Sequence, residues 1–97
     1  MTAPAEVAKA APVPERVGTY RVVAHYDFLG LGERILLLAK PSGLGLDYAT
    51  GSVSVFADTP TYWFGSKDFN GISTEVNLRN ATRDFFQRIH GRIAAAG

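Results

Sequence analysis

Ninety-seven residues without a cysteine make one small domain, with neither a disulfide framework nor a thiolate metal site. Hydrophobic residues are 46% and charged residues 20%, an ordinary globular balance, and a net charge of +1 selects no partner by itself. The longest apolar run, residues 35–39, is far short of the roughly 20 residues a membrane span needs. Residues 1–18 lack the apolar stretch of a secretory signal, so a cytoplasmic protein with no membrane partner is expected.

Residues 1–16 are an Ala/Pro-rich arm in which Pro4, Pro12 and Pro14 prevent a continuous helix. With few large apolar side chains to dock it, this arm is expected to be flexible, or to order only on a neighbour. Residues 17–97 are read as a single α+β domain.

From Val17 the pattern is that of strands. Tyr20, Val22, Ala24, Tyr26 and Phe28 fall on one face of a half-buried strand, with Thr19, Arg21, Val23, His25 and Asp27 on the other. Residues 29–32, "LGLG", are a glycine-punctuated connection. The strand that follows, residues 33–40, is apolar on both sides, with Ile35, Leu37 and Ala39 opposed to Leu36 and Leu38. Pro41 is expected to end it, and residues 41–51 read as a loop with short extended pieces. Further strands are predicted over 52–57 and 61–64. Asn70-Gly71 reads as a type I′ hairpin turn. The alternation of Ile72, Thr74, Val76 and Leu78 then predicts a returning strand over 72–78.

The period changes after Leu78. Ala81, Phe85, Ile89 and Ile93 recur every four residues with Phe86 beside them, which predicts a helix over 80–90 capped by Asn80. Gly91 either ends this helix or lies inside it. The fold class is therefore α+β: a curved antiparallel sheet of about five strands, or a half-open barrel, with one C-terminal helix on one face.

No motif specifies a catalyst. The glycine doublets Gly30/Gly32 and Gly43/Gly45 lack the third glycine and the helix of a dinucleotide loop, and no serine sits in a nucleophile elbow. His25 and Asp27 share a strand face and supply two metal ligands without an identifiable third. The sequon at Asn80 is read as helix-start chemistry. No catalytic residue, cofactor or metal is assigned, and the chain is read as non-enzymatic.

Two features suggest contacts. Tyr62, Trp63 and Phe64 are consecutive on a predicted strand, so both of its faces carry an aromatic. Basic residues concentrate at the C-terminus: over residues 76–97, Arg79, Arg83, Arg88 and Arg92 face only Asp84. These seven residues are the candidate partner-binding set. The leading expectation is a protein–protein or self-assembly module, because one helix can cover only one face of the doubly apolar strand. The alternative is a single-stranded nucleic-acid binder that stacks bases on the aromatics and pairs phosphates with the arginines.

Overall fold

The computed structural model describes residues 10–43, 45–56, 64–71 and 73–96. Five strands form one curled antiparallel sheet, a half-barrel, in chain order: β1 Arg16–Val17, β2 Tyr20–Phe28, β3 Glu33–Ser42, β4 Gly45–Ser54 and β5 Phe64–Phe69. A single 3₁₀ turn, Leu29–Leu31, joins β2 to β3, and one helix, α1 Thr74–Ala96, packs on one face of the sheet. The α+β architecture expected from the pattern is the one observed.

Several boundaries differ. β3 runs through Pro41, which pairs with Leu46 of β4. The pairing of β2 with β3 reaches only to Ala39, so at Pro41 the missing N–H can face away from β4 at no cost in ladder bonds. Residues 45–51 are not a loop but the first part of β4, and the Gly43/Gly45 doublet marks the β3–β4 hairpin, with Gly45 at φ +130°. The strand predicted over 52–57 is thus the end of a longer one, and residues 57–63 lie outside the described residues.

The hairpin at Asn70-Gly71 and the strand over 72–78 do not form. Ser73 caps α1 instead, its hydroxyl oxygen accepting the Val76 N–H at 3.2 Å and its carbonyl the Asn77 N–H at 2.9 Å. Asn77, buried where the alternation predicts an outward strand residue, accepts the Gly71 N–H at 2.7 Å and donates to the Leu46 carbonyl at 3.2 Å. The helical spacing of Asn77, Ala81, Phe85 and Ile89 prevails because it is the one that buries against the sheet. Val76 and Leu78, which would have lined a buried strand face, are exposed. Asn80 is an exposed mid-helix residue rather than the cap, and Gly91 lies within the helix.

A β-bulge between Val22 and Ala24 rearranges the first long strand. One extra residue flips every side chain beyond it to the other face. Tyr20 and Val22 therefore pack with Val17, Leu36, Leu38, Ala49 and Val53 on the face away from α1. Ala24 and Phe28 pack with Ile35, Leu37, Ala39, Tyr48 and the helix. Both faces of β3 are buried, as its sequence requires, but the second is not left for a partner. Residues 10–15 lie against that side: Ala11 is buried and its N–H donates to the Val55 carbonyl at 3.1 Å.

Candidate protein interface

Three polar ties set α1 off the centre of the sheet. Asp84 accepts from the Thr50 hydroxyl at 2.5 Å and from Arg88 Nε at 2.7 Å, and Arg88 also donates to the Gly65 carbonyl. Burial alone would raise the Asp84 pKa, but the hydrogen bonds from Thr50 and Arg88 outweigh it and hold the carboxyl below its usual range. One turn further on, Arg92 grips both oxygens of Glu33 at 2.5 and 2.9 Å, which lowers the Glu33 pKa in the same way. The helix accordingly lies over β3, β4 and β5.

The helix-side face of β2 is what this placement leaves open. Tyr26 is 44% exposed and stacks at a tilt on Phe28, ring centroids 4.8 Å apart. Leu29 and Leu31 continue the surface into the 3₁₀ turn, with Leu31 54% exposed. From the helix, Phe86 (53%) and Ile93 (49%) project seven residues apart, two turns along one flank. Phe86 lies edge-on to Phe85 at 5.5 Å, and Phe85 belongs to the core cluster on which Phe28 packs. The exposed apolar residues on either side thus flank one stretch of core. Glu33, at the start of β3, is paired with Arg92 of the helix.

The residues singled out in the sequence are dispersed. Tyr62 and Trp63 lie outside the described residues, and Phe64 opens β5, its backbone paired with Ser52. Arg88 and Arg92 are committed to Asp84 and Glu33. Arg79 and Arg83 are exposed and form no hydrogen bond or ion pair among the described residues, and Arg83 lines a cleft with Lys67 and Phe69. His25 Nδ1 lies 3.0 Å from Asp27, but Asp27 already accepts two hydrogen bonds from Arg34. Among the described residues no three His, Asp or Glu side chains converge to hold a metal ion.

Sequence reasoning misses two things here. Arg34 reads as an ordinary basic residue of a strand, yet it is 2% exposed. The β2 flank is hidden because Tyr26, Phe86 and Ile93 all fit patterns that bury apolar side chains. One signal is available: Phe86 sits 100° around the helix from the stripe through Phe85. Comparison with protein-family models, with curated proteins and with solved structures finds no match. No helix among the described residues is long and apolar enough to cross a membrane.

Proposed function

We propose that this chain is a small non-enzymatic protein-interaction module whose contact surface is the uncovered β2 flank, and that its natural use is self-assembly. The observation that carries this reading is a set of large apolar side chains left exposed on two elements of the helix side: Tyr26, Leu29 and Leu31 line one cleft at the end of β2, and Phe86 and Ile93 share one flank of α1. Scattered exposed apolar residues are normal on any protein, but a grouped set such as Tyr26, Leu29 and Leu31 is characteristic of interfaces. Aromatic side chains at such a centre concentrate binding energy.

The test is molar mass by light scattering and sedimentation, for the parent chain and for Phe86→Glu. Phe86 is half-exposed, so the substitution leaves the core intact while placing a charge in the contact. A multimer that dissociates in the variant supports the reading. A monomer up to about millimolar concentration, the weak end of specific association, overturns self-assembly.

A second reading, single-stranded nucleic-acid binding, is supported by the free Arg79 and Arg83 and by the cleft that Arg83 shares with Lys67 and Phe69. It retains two of the four arginines that the sequence offers it.

A further inference from the structure

The geometry points to a second copy of this chain as the partner, joined through antiparallel pairing of β2 with β2 about a two-fold axis at Tyr26. This inference rests on the self-assembly reading and specifies its contact. β1 covers the outer edge of β2 only at Tyr20 and Arg21, and the Glu15 carbonyl takes the Val22 N–H at 2.9 Å. The bulge follows, and beyond it Ala24 to Phe28 continue as regular strand until the 3₁₀ turn. Among the described residues nothing pairs with their outer edge.

An unpaired edge of this kind is a template for another strand unless it is shortened, charged or interrupted. Residues 24–28 contain no proline and no lysine, and their one acid, Asp27, is already neutralised by Arg34. β5, at the other end of the sheet, carries both Lys67 and Asp68 in its six residues. The edge thus asks for an extended partner with an apolar flank, and β2 itself is such a strand.

Symmetry then fixes the register. Antiparallel pairing about a two-fold axis normal to the sheet keeps like faces together, and only an axis at Tyr26 matches all five residues of one edge with all five of the other. Tyr26 meets Tyr26 of the second copy, and Ala24 meets Phe28, small against large, on the helix side. On the opposite face His25 comes opposite Asp27 twice, so the Arg34–Asp27–His25 cluster of each copy meets that of the other without setting like charges against each other. Moving the axis to Asp27 would set two carboxylates against each other, and moving it to His25 would leave Phe28 opposite Val22, whose N–H is already taken.

The absence of cysteine makes the register directly testable. In this pairing the two copies of residue 26 face each other at about 4.5–5.5 Å between Cα atoms, within disulfide range. Two copies of residue 24 are offset by four residues, roughly 13 Å along the strand. Under mild oxidation Tyr26→Cys should cross-link nearly completely, Ala24→Cys should not, and a mixture of Ala24→Cys with Phe28→Cys should form the heterodimer. Because Tyr26→Cys removes part of the contact, hydrogen exchange of the unmodified chain is measured alongside, above and below its dissociation constant. Concentration-dependent protection of β2 amides between residues 24 and 28 is the expected result. A dimer without that protection overturns β2 pairing while leaving the apolar-flank reading standing. Protection without cross-linking of the Tyr26→Cys variant, or equal cross-linking by Ala24→Cys, overturns the register. A strict monomer removes both this inference and the self-assembly on which it rests.

Discussion

Arg34 donates through Nε and Nη2 to the two carboxylate oxygens of Asp27, each at 2.8 Å, and the same Nη2 reaches the Ala11 carbonyl at 2.8 Å. One buried guanidinium therefore joins β2, β3 and residues 11 and 12, the last through a longer contact of 3.4 Å to the Pro12 carbonyl. The fork geometry suits arginine and not lysine. Removing one partner of a buried pair strands the other charge, which costs about 3–5 kcal/mol. Asp27→Asn should lower stability by that order, and Arg34→Met should release residues 10–15 as well as destabilise the sheet. Urea unfolding measures the first, and exchange of the Ala11 amide the second. Adding Arg34→Met to Asp27→Asn should recover part of the loss, since no charge is then left stranded.

Acid should unfold this protein through three carboxylates. Arg34 lowers the Asp27 pKa, Arg92 lowers that of Glu33, and Thr50 and Arg88 lower that of Asp84 against the effect of burial. A depressed native pKa means that the unfolded chain takes up protons first as pH falls. The contribution of each is complete above the unfolded value, about 4, and is lost as pH drops through the native value. Urea midpoints should therefore change little on their account between pH 7 and 5 and fall steeply below about pH 4. Asp27→Asn should make that fall shallower; an unchanged slope would remove Asp27 from the explanation.

Two glycines make opposite predictions. Gly91 sits inside α1 with no atom within 4 Å of where a Cβ would stand, so Gly91→Ala should raise stability by about 0.5–1 kcal/mol. Gly45 has φ +130°, and a Cβ there would clash with the Thr74 hydroxyl oxygen, which accepts the Leu46 N–H at 2.8 Å. Gly45→Ala should cost about 1–3 kcal/mol, because neither the strained backbone nor the hairpin-to-helix tie can relax freely. Thermal unfolding of the two variants decides both.

The same residues show why much of the fold is legible in the sequence and the site is not. Alternation over β2 and β3 and the four-residue recurrence of Ala81, Phe85 and Ile89 report burial against neighbouring elements, and all three elements form there, with β3 running on to Ser42 and the helix spanning Thr74–Ala96. The strand predicted over residues 72–78 fails because seven residues satisfy a period of two by chance, while the Ser73 cap and the Asn77 hydrogen bonds depend on β4 being close by. The bulge after Val22 leaves no mark in a continuous alternation, yet it decides which residues lie under the helix. Pattern reports that Tyr26 and Phe86 are apolar; only the lateral placement of α1, held by Asp84 on Thr50, Arg88 on the Gly65 carbonyl and Arg92 on Glu33, decides that they stay uncovered.

That placement separates the four C-terminal arginines by role. Arg88→Ala removes the donor to the Gly65 carbonyl of β5 and Arg92→Ala the ion pair with Glu33 of β3, and each loss of a charge-assisted tie between helix and sheet should cost about 1.5–3 kcal/mol in urea unfolding. Arg79→Ala and Arg83→Ala remove exposed side chains without partners among the described residues and should stay within about 0.5 kcal/mol. The double variant Arg79→Ala/Arg83→Ala is then a folded protein stripped of its free helix cations, suited to testing the nucleic-acid reading. Under self-assembly, a single-stranded oligonucleotide at low salt should leave the fluorescence of the lone tryptophan, Trp63, unchanged in both proteins. A saturable quench in the parent that weakens as salt rises and vanishes in the double variant would transfer the function to nucleic acid, because counterion release gives phosphate contacts that dependence.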